Sequence, residues 1–248
     1  MSKMKFEITA VLSEMEELYS QPISPQRFQE YIAKLQGTKK GDMDLPIGGF
    51  NPMAKEHVLQ KVQELKALEA EGIMQEAVNS INHQTETKNS QTIKVVLNLA
   101  DDLKGGWTNH YTTDFDSKFK LNAFVSRLFC TPYFWTSESY SPEIIRQRTL
   151  EYVHRTIFWL ENSKPMTLED FLEQEVYVAQ NVPSETLDKE DDLDSIRQLY
   201  EEFKNEDDYS LLFNFFYGDE ASQSLNYPTF GVKDITGFDY AKILAKAS

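Results

Sequence analysis

The sequence predicts an all-α protein, an irregular multi-helix bundle of about eight or nine helices with room for one short strand pair. Three observations predict it. Glycine and proline are scarce, 10 and 9 of 248 residues, so structure breakers are few. Apolar residues recur at helical spacing along most of the chain. The pairs Ser24-Pro25, Asn51-Pro52 and Ser141-Pro142 join a capping side chain to a proline suited to the first helical position.

Taken in order, Ile8, Val11, Leu12, Met15, Leu18 and Tyr19 form one apolar stripe on an acidic first helix. Ser24-Pro25 opens a second, with Phe28, Tyr31, Ile32 and Leu35 following and Gly37 at its close. KKGDMDLPIGGF, residues 39 to 50, has turn residues and no period, and reads as a loop. Asn51-Pro52 starts a long helix carrying Val58, Val62, Leu65, Leu68, Ile73, Ala77 and Ile81, bent near Gly72. HQTETKNSQ is a polar linker.

Ile93, Val96, Leu97, Ala100 and Leu103 then make a helical face that Gly105-Gly106 ends, and a buried helix with Leu121, Phe124, Val125, Leu128 and Phe129 begins near Asp116 or Ser117. From Leu150 to Leu160 the chain is apolar on nearly every side, which marks 142–161 as the central helix. Thr167 and Asp170 have capping-box spacing before Phe171 and Leu172. Two short helices follow near 190 to 204 and 208 to 217, the latter closed by Gly218, and a terminal helix runs from Tyr240 to Ala247. IKVVLNL or PTFGV could supply accessory strands. Residues 1–248 read as a single helical domain, with no repeat at a fixed period.

The net charge of −15 is uneven. Residues 161–220 hold 18 Asp and Glu against 4 Lys and Arg, while the rest carries 22 acids against 21 bases. Such an acidic C-terminal third repels phosphates and attracts a basic protein surface, so no nucleic acid is expected as a partner. No stretch approaches the ~20 apolar residues of a membrane span. The single Cys130 excludes an intrachain disulfide, and Glu7, Glu14, Glu16 and Glu17 interrupt any leader-like apolar run. Together these features predict a cytoplasmic protein without membrane association.

Candidate chemistry is sparse. The stretch GGWTNHYTTDF, 105–115, gathers His110 with Asp114 or Asp116, which could make an oriented base or part of a metal site. The plainer reading makes it a connector anchored by Trp107, Tyr111 and Phe115. Glu151 and His154 form the one E-x-x-H of the chain and share a helical face, a weak metal pair because di-iron bundles need a second such motif. Cys130, beside Thr131-Pro132, reads as buried and inert. DKEDDLDSIRQLYEE fails as a calcium loop, since Leu193 and Leu199 fall where the loop requires Gly and Glu. No motif indicates a cofactor.

Two functional expectations result. The first is an interaction or regulatory protein whose acidic face, with Asp191, Asp192, Asp194, Glu201 and Glu202, binds a basic partner. The alternative is a helical enzyme, metal-dependent in one version, whose pocket lies between the 105–116 loop and the central helix, with His110, Asp114 and His154 as catalytic candidates.

Overall fold

The computed structural model describes residues 4–37, 43–46, 51–85, 91–103, 105–183 and 193–247. The fold is mixed α/β rather than all-α: among these residues it has eleven helices and five short strands in two parallel sheets. The chain divides into two compact units, 1–153 and 154–248.

The first unit opens with β1 (Met4–Ile8), followed by α1 (Leu12–Tyr19), α2 (Pro25–Leu35), α3 (Glu56–Ala67) and α4 (Ala70–Thr85). Ser24 caps α2 as its sequence demands, accepting from the Arg27 amide. The cap of α1 comes from elsewhere: Glu71 of α4 accepts from the amides of Val11 and Leu12. Asn51-Pro52 does not begin a helix, for α3 starts at Glu56. The break between α3 and α4 lies at Glu69, which has φ 54, rather than at Gly72.

Next come β2 (Gln91–Val95) and β3 (Asn98–Ala100), then α5 (His110–Phe119), α6 (Asn122–Val125), β4 (Phe129–Cys130) and β5 (Tyr133–Trp135). One sheet has the order β1-β2-β4 and the other pairs β3 with β5, all parallel. Pro132 explains why two ladders appear instead of one. It has no N–H to donate between β4 and β5, yet its carbonyl accepts from Asn98, so the chains stay adjacent across the gap. Asn82 of α4 covers the outer edge of β1 by bonding both the amide and the carbonyl of Phe6.

These strands are what the helical reading mistook. Ile93, Val96, Leu97 and Ala100 fit a helical face by spacing, but Val95 through Ala100 are all buried, the near-continuous apolar run of a parallel strand covered on both faces. The helix expected from Asp116 or Ser117 through Phe129 is split, with α5 starting earlier and ending at Phe119 and only the short α6 beyond it. Leu128 takes a left-handed φ of 63, and the chain turns into β4. PTFGV forms no strand.

Helix α7 (Pro142–Glu161) begins at the expected Ser-Pro pair and contains the division between the units. In the second unit follow α8 (Leu168–Asn181), α9 (Leu193–Phe203), α10 (Tyr209–Ser224) and α11 (Gly237–Ala247). The Thr167–Asp170 capping box forms in full. Gly218, with φ 83 and ψ 175, is non-helical and closes the first part of α10 where expected, before the helix resumes toward Ser224. Phe213, Phe215, Phe216, Ile196 and Tyr240 build this core. Arg155 and Glu175 form a buried two-point ion pair at 2.7 and 2.6 Å, and Gln174 links Glu175 to the Trp159 indole.

Candidate functional site

The carboxyl ends of β3 and β5 carry a cluster of titratable and hydroxyl groups. Register places Ala100 beside Trp135, so the next residues of each strand, Asp101-Asp102 and Thr136-Ser137, emerge side by side. The ladder continues one step, with the Thr136 amide donating to the Ala100 carbonyl at 3.0 Å. Thr136 Oγ1 then donates to Asp101 Oδ1 at 2.8 Å and lies 3.2 Å from Asp102 Oδ1, so both carboxylates reach one hydroxyl. Ser137 donates to Asp102 twice, from its amide at 3.0 Å and its Oγ at 2.6 Å. The ends of parallel strands are where α/β proteins bind ligands.

Each carboxylate also holds an imidazole. His57 Nε2, from the first turn of α3, lies 2.8 Å from Asp101 Oδ1, and His110 Nδ1, the first residue of α5, lies 2.7 Å from Asp102 Oδ2. A carboxylate only accepts, so the bonded nitrogen carries the proton. Nδ1 of His57 and Nε2 of His110 are then the basic atoms. The carboxylate side chains are 9% and 4% exposed while the rings are 28% and 37% exposed. The anions are thus buried and the bases open. Burial alone raises the Asp102 carboxyl, but the bonds from Ser137 and His110 outweigh it and hold the group below its ordinary value.

Local structure fixes the two histidines independently. Asn109 is the N-cap of α5, its side chain accepting from the Thr112 amide, which sets His110 at the helix start. The His110 ring packs against Trp135 with centroids 4.3 Å apart. His57 depends on the segment leading to α3. The buried Arg27 guanidinium donates to the carbonyls of Gln21 and Ala54 at 3.0 and 2.9 Å and lies over the Tyr19 ring. The Tyr19 phenol, pushed up chiefly by burial, takes the Asn51 amide and feels the Asp101 charge.

The expected site residues scatter. His110 belongs to the cluster, but its partner is Asp102, neither Asp114 nor Asp116. Those two pair with Lys118 and Lys120 along α5. Trp107 is 72% exposed, so it does not anchor the 105–115 stretch; Phe115, at 2%, does. The helix expected near Asp116 starts at His110 because Asn109 supplies the cap. Glu151 bonds Gln147, and His154 is buried in the second unit with neither ring nitrogen hydrogen-bonded. Among the described residues, no group of three or more His, Cys, Asp or Glu could hold a metal ion. Cys130 is buried in β4.

On the acidic face, Asp194, Glu201 and Glu202 are exposed on α9, while Asp191 and Asp192 lie outside the described residues. A cleft of about 310 Å³ is lined by Ile196, Leu199, Glu202, Phe230, Val232 and Ile235 among others.

Asp101, Asp102, His57, Thr136 and Ser137 escaped sequence reasoning. The signal was present as a polar pair directly after each apolar run, LNLADD and YFWTS, and becomes meaningful once those runs are strands. No helix among the described residues is long and apolar enough to cross a membrane. Comparison of the chain with protein-family models, with curated proteins and with solved structures returns no match.

Proposed function

We propose that the first unit is an acid–base enzyme acting at the carboxyl ends of β3 and β5. The observation that carries this reading is the pair of carboxylate-oriented imidazoles, His57 on Asp101 and His110 on Asp102. One basic nitrogen takes a proton from water or a substrate hydroxyl, and the other imidazole, once protonated, gives its proton to the departing atom. Buried carboxylates hold each ring in one tautomer and stabilise the imidazolium that forms, the part an aspartate plays beside a catalytic histidine. Ser137 donates to a carboxylate rather than to an imidazole, so the nucleophile in this reading is a water molecule.

The test is a broad screen of hydrolase and lyase substrates with the wild type and with His57→Ala, His110→Ala and Asp102→Asn. Removal of either base should lower turnover by ~10²–10⁴-fold, with each variant still folded by circular dichroism. Full turnover in both histidine variants would sink the reading.

A second reading, for the second unit, is favoured by the exposed carboxylates of α9 beside the cleft that Glu202 lines. A basic protein segment could place cations on Asp194, Glu201 and Glu202 and an apolar side chain between Leu199 and Val232. The variant Asp191→Asn, Asp192→Asn, Asp194→Asn and a Glu201→Gln, Glu202→Gln pair should slow association at low salt and leave stability within about 0.5 kcal/mol. Salt-independent association would remove this branch.

A further inference from the structure

We infer that Trp107 is the stacking wall of the two-histidine site, and that the ligand there joins a flat ring to an anionic group. This rests on the acid–base reading and gives its substrate class.

The described residues on either side of Trp107 are tied to the residues that hold the imidazoles. Asp101 accepts twice through its carbonyl, from the Thr108 amide at 3.2 Å and the Thr108 hydroxyl at 2.6 Å. The Gly106 amide donates to Leu103 at 2.6 Å. A Cβ on Gly106 would lie 2.3 Å from the Asp101 carbonyl oxygen, so only glycine fits that close approach. Asn109 then caps α5 at His110. Between these fixed points the Trp107 indole is 72% exposed, whereas Trp135 and Trp159 are 1% and 7% exposed. A tight loop gains nothing for its own folding from an indole held in water.

The surroundings agree. Leu103 and Met53, both well exposed, stand on the same two segments, one residue after Asp102 and four before His57. Exposed apolar side chains therefore flank the charged cluster along both segments. Lys55 supplies the cation. It is exposed, forms no ion pair among the described residues, and its Nζ comes so near the loop that a Cβ on Gly105 would be 2.9 Å away. An electron-rich indole face takes a flat ring, and a neighbouring ammonium takes a phosphate or carboxylate. Nucleoside monophosphates and aryl phosphates share that chemistry, and in either the bond between ring and anion would come to the imidazoles.

The experiment follows acrylamide quenching of tryptophan emission, which in this chain reports mainly Trp107. The probes are adenosine monophosphate, phenyl phosphate and inorganic phosphate. The expected result is protection by one of the two ring phosphates and none by phosphate alone. Trp107→Ala, followed by calorimetric titration, should weaken that binding about tenfold or more, Trp107→Phe should restore most of it, and Lys55→Met should weaken it again. Protection by adenosine monophosphate identifies a nucleobase as the ring, and protection by phenyl phosphate a simple aryl group. The absence of protection by both, or equal affinity in wild type and Trp107→Ala, overturns the inference. The double variant His57→Ala, His110→Ala should keep the emission response. Response without turnover in the wild type defeats the acid–base reading alone, and turnover without response defeats this one alone.

Discussion

Asp102 receives His110 and Ser137 on the same carboxylate oxygen, at 2.7 and 2.6 Å, although the two donors lie 8 and 35 residues away in sequence. Replacing the acid with asparagine turns an amide N–H₂ toward groups that themselves donate. Asp102→Asn should cost about 1–3 kcal/mol, the penalty for leaving buried polar groups badly matched. The His110 Nδ1 proton, sheltered in the wild type, should exchange rapidly in the variant when followed by proton NMR. The same carboxyl sets a pH dependence. Its folded value is lowered, so its contribution is present above the ordinary carboxyl range and is lost as the pH falls through the lowered value.

Burial lowers His154 to about 4 from an ordinary 6.5. A depressed folded value favours the neutral ring in the native state, so stability is full above pH 6.5 and drains as the pH falls toward 4. Across that window the loss should amount to roughly 3 kcal/mol. His154→Phe should flatten this limb of the curve, because neither ring nitrogen has a hydrogen bond to lose. Urea melts at pH 7 and pH 4.5 would check it, and identical acid sensitivity in the two proteins would refute the assignment.

In the second unit, Glu175→Gln leaves the Arg155 guanidinium buried beside a neutral amide, and should cost about 3–5 kcal/mol in denaturant melts. The pair Arg155→Met, Glu175→Leu should recover much of that loss. A buried ion pair is far more sensitive to losing one partner than to losing both.

Trp107→Ala should change stability by no more than about 0.5 kcal/mol, as exposed substitutions do. Trp135→Ala, by contrast, removes a fully buried ring and should cost about 3–5 kcal/mol. Thermal denaturation of the two variants side by side separates an exposed indole from a packing one.

Local chemistry was legible in the sequence and non-local pairing was not. Ser24-Pro25, Ser141-Pro142 and the Thr167–Asp170 box each began a helix where the residues indicate, because a cap is complete within four residues. The strands are two to five residues long, and their partners lie as far as 87 residues away, as for Met4 and Gln91. A buried parallel strand shows no alternation, so IKVVLNLA offered a helical period as readily as an extended one. His110 was found as an imidazole in a polar stretch. Its partner was not, because Asp102 acquires meaning only at the end of β3. In the sequence His57 is one polar residue on an amphipathic helix, with nothing nearby to link it to residue 101.

The step from Ala100 and Trp135 into the site also makes the site a proofreader of strand alignment. A slip of β5 by one residue would set the Trp135 or Ser137 position against Asp101 and turn the hydroxyls to the opposite face. Neither carboxylate could then keep its donors, and two buried anions would stand unmatched at the sheet end. The same buried charge thereby penalises the misaligned chain, and Pro132, which cannot join the ladder between β4 and β5, divides the pairing into two short runs that must both be correct.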